Sequence, residues 1–287
     1  MALSSVNEYR GIWGTYTQNE TTMLTSHICR PNELVLWESE NIVSASKAFC
    51  CGRKKWEFGY AVKALHERGK LHEGAKGLGF ACGKEPLPSL FANYGCHITA
   101  TDAPFDNDDW GATGQKSNNK ADLFYDDIVE KNIFDKNVNF EYADMNFIPK
   151  HFEGKFDFIW SSCALEHLGT LHEAKNFVYE AMRCLKPNGI AVHTTEINLR
   201  FQFESFLMNT HVIPLRSIDF IEIAEFLTKK GHKVAPLDFR LDDSNLYANS
   251  ADLNSTEGIF HPHFIVKMAR YTLTSFGLII QKKESLT

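Results

Sequence analysis

The segment Lys76-Gly77-Leu78-Gly79-Phe80-Ala81-Cys82-Gly83-Lys84-Glu85-Pro86 narrows what this chain can fold into more than any other. It reads as a strand running into a glycine turn and then a helix. Glycine is demanded where the backbone takes positive φ, or where a ligand must approach the main chain with no Cβ in the way. A helix opening after such a turn offers free N–H groups and a partial positive charge to an anionic ligand group. Glycine turns also serve as plain connections, so the neighbouring sequence decides the meaning. About twenty residues on, the apolar stretch Cys96-His97-Ile98-Thr99-Ala100-Thr101 ends in Asp102, a spacing that predicts a carboxylate beside the turn at the C-terminal edge of a parallel sheet, within reach of ribose hydroxyls. Asp followed by Ala-Pro is also a sound turn cap.

A dinucleotide site wants Gly-x-Gly-x-x-Gly, and the register starting at Gly77 fails because Cys82 stands where the third glycine belongs. The register Gly79-x-Ala81-x-Gly83 suits another ligand and resembles motif I of the class I S-adenosylmethionine-dependent methyltransferases. The resemblance continues for more than a hundred residues. Val138-Asn139-Phe140-Glu141-Tyr142-Ala143-Asp144-Met145 is similar to that family's third strand, ending in the acid that hydrogen-bonds the adenine amino group. Phe156-Asp157-Phe158-Ile159-Trp160-Ser161-Ser162-Cys163-Ala164-Leu165-Glu166-His167-Leu168 is similar to the fourth strand and the loop beyond it. Arg183-Cys184-Leu185-Lys186-Pro187-Asn188-Gly189 resembles the turn before the fifth, where Pro and Asn-Gly stop a helix.

The resemblance implies an α/β, Rossmann-like methyltransferase fold: a mostly parallel seven-stranded sheet with helices on both faces and a C-terminal antiparallel hairpin. It also implies S-adenosyl-L-methionine as cofactor, held by Gly79, Ala81, Gly83, Glu85, Asp102, Asp144, Met145 and Ser161. One departure bears on that set. The family begins motif I with an acid two places before the first glycine, and Gly77 stands there. Glu85, expected just inside the following helix, or Glu57 upstream could take over its contact with the methionine amino group.

With 287 residues the chain can hold one α/β domain and a smaller appendage. A net charge of −6 argues against a nucleic-acid partner, which would call for excess Lys and Arg, although the patch Arg53-Lys54-Lys55 is locally basic. Seven cysteines without a repeated short spacing point to reduced thiols and a cytoplasmic setting. The absence of any long apolar run predicts a soluble chain with no membrane partner.

Residues 1–70 read as an N-terminal helical cap, with Trp56, Tyr60, Ala61 and Leu65 at helical spacing, and 71–287 as the cofactor-binding domain. The cap could cover the site or pair with a second subunit in a homo-oligomer. A helix is predicted over Leu171–Leu185 and a strand over Ile190–Thr195, with Glu196 at its end. Another helix is predicted over 217–230, capped by Ser217 and stopped by Gly231, before closing strands near 264–267 and 275–280. The stretches near 198–216 and 232–262 are polar insertions that read as a substrate lid, or as merely solvated loops.

Methyl transfer from a sulfonium is an in-line displacement, so an oxygen or nitrogen acceptor wants a base near the methyl group. His167, one loop beyond the fourth strand, is the first candidate because imidazole titrates near neutral pH. Glu196 is the second, as base or as the group orienting the histidine. Both residues have plainer roles available, as a helix cap and as a partner of a backbone amide. His261 and His263, one residue apart, could touch substrate or share a divalent metal with Glu196, a cofactor the spacing does not favour.

The expected activity is methylation of a polar small molecule, foremost O-methylation of a sugar or nucleotide-linked sugar. The polar lid suggests this, as does a general likeness of Gly83-Lys84-Glu85-Pro86-Leu87-Pro88 and His193-Thr194-Thr195-Glu196 to bacterial methyltransferases of surface-glycan pathways. A nucleic-acid methyltransferase is disfavoured by the lack of an Asn/Asp-Pro-Pro-Tyr/Phe pattern and of a Pro-Cys nucleophile after a strand. A non-catalytic binding module is the remaining alternative, prompted by Gly77.

Overall fold

The computed structural model describes residues 23–40, 52–104, 116–200, 212–241, 250–252, 263–268 and 271–284. Its elements run β1 (Ser26–His27), α1 (Asn32–Ser39), α2 (Gly52–Glu67), β2 (Lys76–Phe80), α3 (Leu87–Asn93), β3 (His97–Asp102), α4 (Lys131–Asn137) and β4 (Val138–Tyr142). There follow β5 (Phe156–Ser162), α5 (Leu171–Ala181), β6 (Leu185–Asn198), α6 (Ser217–Lys229), β7 (Lys233–Val234), β8 (Leu237–Asp238), β9 (Ser250–Asp252), β10 (Ile265–Met268) and β11 (Tyr271–Gln281).

The main sheet has the order β4-β3-β2-β5-β6-β11-β10-β9, with β7 also on β11. Strands β2 to β6 pair in parallel, and β11 runs antiparallel to both β6 and β10. The fold is therefore the expected Rossmann-like one with its closing hairpin. Among the described residues it has nine strands instead of seven, because short β7 pairs with β11 and short β9 extends the edge beyond β10. Strand order reverses between β2 and β5, and ligands of open α/β sheets bind outside the strand ends at such a crevice.

Two apolar layers hold the sheet. Trp56, Tyr60, Phe91, Phe158, Trp160 and Ile279 fill the space under α2 and α3, while Phe80, Phe177, Val178, Phe220, Phe276 and Leu278 fill the space under α5 and α6. The α2 stripe seen in the sequence is core: Trp56 and Tyr60 are fully buried and their rings stack at 4.9 Å. Tyr60 lies so close to β11 that a Cβ on Gly277 would overlap its ring. Gly277→Ala is expected to cost about 1–3 kcal/mol through this overpacking, read as a lower midpoint in chemical denaturation.

Several element ends differ from expectation. Helix α3 begins only at Leu87, with Pro86 as its N-cap and Pro88 in its first turn, so Glu85 precedes the helix. Helix α5 stops at Ala181 and tightens into a 3-10 turn over Met182–Cys184. Strand β6 starts at Leu185 and passes through Asn188 at φ +60. The N-cap of α6 is Arg216 and not Ser217; Asp219 reaches back to accept from the Arg216 backbone N–H at 2.8 Å. Among the described residues no helix is long and apolar enough to cross a membrane.

Candidate functional site

The glycine turn sits at the crevice. Ala81 and Gly83 take positive φ, +47 and +53, which turns the chain sharply out of β2. The Cys82 N–H donates to Thr101 O at 2.9 Å and the Thr101 hydroxyl to Gly79 O at 2.8 Å, tying the turn to β3. Asp102 closes it. Its carboxylate accepts from Ala103 N at 2.8 Å, Ser117 N at 3.0 Å and Gly83 N at 3.2 Å. Burial pushes the Asp102 carboxyl above its usual range, opposed by these amides. The structure thus puts Gly79, Ala81, Gly83 and Asp102 together as one unit.

The missing acid has a steric cause. A Cβ on Gly77 would overlap the Phe158 ring and come within 2.9 Å of Ile98 Cδ1, so no side chain fits there. Of the two substitutes, Glu57 is already committed. Fully buried, it stands 3.2 Å from Arg53 Nη1 and 3.0 Å from Lys54 Nζ, and it accepts from the Cys163 thiol at 3.0 Å and from the Ser275 hydroxyl. Burial works against its charge, but Lys54 and Arg53 hold its carboxyl below the usual range. Glu85 is different. It is buried, its Oε1 accepts from Trp160 Nε1 at 2.5 Å, and no ion pair within 4.0 Å is made to it among the described residues. Burial pushes its carboxyl up to about 8, opposed by the Trp160 bond and the more distant Lys54 charge.

On the far side of the crevice, residues alternate between the two sheet faces. Trp160, Ser162, Thr194, Glu196 and Ser275 face α2; Ser161, His193 and Thr195 face α5, where the His193 ring meets Phe177 at 5.6 Å. The Ser161 hydroxyl bonds His193 Nδ1 at 2.8 Å, and burial holds that histidine neutral by lowering its pKa to about 3. The side chain of Ser161 is therefore turned away from the α2 side of the crevice, which its neighbour Ser162 faces. Glu196 pairs with Arg53 Nη2 at 2.8 Å. Its carboxyl is raised by burial, Arg53 opposing and Glu166 and Glu57 adding to the rise. His167 is half-buried at the end of a 3-10 turn over Leu165–His167, and the buried Glu166 beside it accepts from the Thr195 hydroxyl at 2.6 Å.

Asp144 follows β4 in a turn where its Oδ1 accepts from Asn146 N at 2.8 Å, next to buried Met145. His263 gives its carbonyl to the Arg53 N–H at 2.8 Å, while His261 lies outside the described residues. Among the described residues no group of three or more His, Cys, Asp or Glu side chains could hold a metal ion.

Sequence reasoning missed the cluster of Arg53, Lys54, Glu57, Cys163 and Ser275. One signal was available: Arg53 and Glu57 stand at i, i+4 on a helix whose remaining stripe is aromatic core.

A family model described as a methyltransferase domain matches residues 54–236. No curated protein matches the sequence. Among solved structures the chain is similar to a cyclase, with 14% identity over 91% of this chain and 100% of that one and a TM-score of 0.48. It is similar to an S-adenosylmethionine-dependent methyltransferase from Methanosarcina mazei, with 16% identity over 77% of this chain and 98% of that one and a TM-score of 0.45. It is also similar to magnesium protoporphyrin IX methyltransferase from Synechocystis PCC 6803 with bound S-adenosylhomocysteine, with 12% identity over 88% and 86% of the two chains and a TM-score of 0.43.

Proposed function

The chain belongs to the methyltransferase-domain family of class I S-adenosylmethionine-dependent enzymes, and from that premise we propose that it O-methylates a sugar or nucleotide-linked sugar. The observation that carries the acceptor class is the row Ser162, Thr194, Glu196 and Ser275 under Arg53, Lys54 and Glu57. It lines the α2 side of the crevice with hydrogen-bonding and charged groups. A greasy or flat aromatic acceptor would leave the Ser162 and Thr194 hydroxyls, which have no hydrogen-bond partner among the described residues, unpaired at a cost of about 1–3 kcal/mol each. A polyhydroxylated acceptor pairs them with its own hydroxyls.

The residues fit the cofactor. S-adenosylmethionine, when bound, supplies a methyl group on a sulfonium for in-line displacement. Glu85, a buried carboxyl with no ion-pair partner among the described residues, would hold the methionine ammonium in place of the acid that Phe158 excludes. Asp102 keeps the turn shaped and stands where the ribose hydroxyls would lie, with Ser161 contributing only through the strand it anchors. Asp144 and Met145 would take the adenine edge. On the acceptor side His167 would remove the hydroxyl proton at an imidazole nitrogen, and Glu196 would orient the acceptor or serve as the base itself. His263 stands beside the start of α2 as a substrate contact, while most of the stretches near 198–216 and 232–262 expected as a lid lies outside the described residues.

The test is a screen of nucleotide sugars and methyl glycosides with S-adenosylmethionine, read by mass spectrometry for an added methyl. A methyl ether formed on a sugar is the expected product. Methylation of a nucleic acid or a phenol with every sugar untouched would overturn the acceptor class, and tight cofactor binding with no turnover on any acceptor would point to a binding module.

A further inference from the structure

Arg53 sits where three segments meet. Its backbone N–H donates to His263 O, and the preceding Gly52, at φ +65, packs so closely on His263 that a Cβ would lie 2.5 Å from its carbonyl oxygen. This contact feeds the first turn of α2 inward over the sheet. The guanidinium then reaches in two directions. Nη1 stands 3.2 Å from Glu57 Oε1, 3.2 Å from the Ser275 hydroxyl and 3.4 Å from Cys163 Sγ, while Nη2 stands 2.8 Å from Glu196 Oε1. Glu57 is wholly buried and accepts from several donors at once, so it anchors one side of the fork. Glu196 keeps some exposure at the end of β6, and Arg53 is its ion-pair partner.

We propose that Arg53 is a positioning residue for the acceptor side of the reaction: anchored on Glu57, it fixes the Glu196 carboxylate in one orientation and keeps it ionised. This rests on the reading of Glu196 as an acceptor-side group. The need for such a residue follows from what faces Glu196. Arg53, Lys54 and Glu57 come from α2 and Glu166 from the 3-10 turn, so two carboxylates press on Glu196 where it is nearly buried. A guanidinium suits the task better than an ammonium, because its planar fork serves two carboxylates without moving.

The test uses the full chain saturated with S-adenosylhomocysteine, with glutamates labelled at the carboxyl carbon, and Glu196→Gln to assign the Glu196 resonance in a carbon-13 NMR pH titration. In Arg53→Gln the Glu196 midpoint is expected to rise by about one pH unit or more, with much of the rise recovered in Arg53→Lys. Should Arg53→Gln not fold, Arg53→Lys decides the question: its ammonium cannot span both carboxylates, so a smaller rise and a broadened resonance are expected. A midpoint unchanged in Arg53→Gln, or in Arg53→Lys where Arg53→Gln does not fold, would overturn the proposal. Failure of the underlying reading would look different: Glu196→Gln would turn over a sugar acceptor at the full rate whatever the titration showed.

Discussion

Titrating the protein with S-adenosylhomocysteine in a calorimeter at pH 7 is expected to release a proton to the buffer. Glu85→Gln is expected to abolish that release and weaken binding by tenfold or more, about 1.4 kcal/mol. The ligand keeps the methionine ammonium although it lacks the methyl. Glu85 is buried against Trp160 and its carboxyl is pushed up to about 8, so below that pH the ligand-free protein holds it neutral. An ammonium beside it favours the ionised form, and binding must then expel the proton. Affinity should rise with pH up to about 8 and level off above it. The stability of the ligand-free protein should run the other way. A folded-state value near 8 against 4.5 in the unfolded chain means that the native state keeps a proton the unfolded state loses. Its contribution to stability is full below pH 4.5 and declines as pH rises through that window. Glu85→Gln should flatten the decline. The check is the heat of binding in two buffers of different ionisation enthalpy, with denaturation midpoints at each end of the window. Equal observed heats in the two buffers, which mean that no proton is exchanged, together with unchanged affinity in the variant, would remove Glu85 from the cofactor site.

The fold was legible wherever one segment carries its own signal. The turn from Gly79 to Gly83, the following Asp102 and the order of the apolar strands are local patterns, and each lies at the expected place along the chain. The closing hairpin was legible for the same reason. Element ends were less so, since Pro86 and Pro88 delay α3 past Glu85 and Asp219 caps α6 from inside. The facing of Ser161 and Ser162 could not be read at all. Strand β5 lies mid-sheet with helices on both faces, so its apolar run carries no alternation that says which serine points to α2. The Arg53 cluster was hidden by distance along the chain. Residues 53, 57, 163, 196 and 275 come from α2, a loop and two strands, and only the antiparallel seating of β11 beside β6 brings Ser275 level with Glu196. Charge on a helix looks solvated until the helix is known to lie on a sheet.

Restoring the family's acid by Gly77→Asp is expected to break the protein rather than improve it. A Cβ at Gly77 would overlap the ring of Phe158, which is buried and packs edge-on against Phe91 at 5.4 Å, and the flanking strands leave β2 no sideways room. Overpacking of that kind costs about 1–3 kcal/mol by itself, and burying a carboxylate against Phe158 and Ile98 adds several more. Loss of about 4 kcal/mol or more is enough to unfold many domains of this size at 37 °C, so the single variant should be insoluble or melt far below the wild type. The cause can be separated by a second change. Phe158→Ala alone should destabilise by roughly 3–5 kcal/mol through the cavity it leaves, yet in its background Gly77→Ala should be close to neutral, because the ring that barred the Cβ is gone. Denaturation curves of the wild type, Gly77→Ala, Phe158→Ala and the Gly77→Ala/Phe158→Ala pair form a double-mutant cycle whose coupling should be large and of the rescuing sign. Additive losses would mean that Ile98 or the backbone of β2 excludes a side chain at position 77. A soluble Gly77→Asp that binds S-adenosylhomocysteine more tightly than wild type would mean instead that the site tolerates the family's acid and that Glu85 has not replaced it.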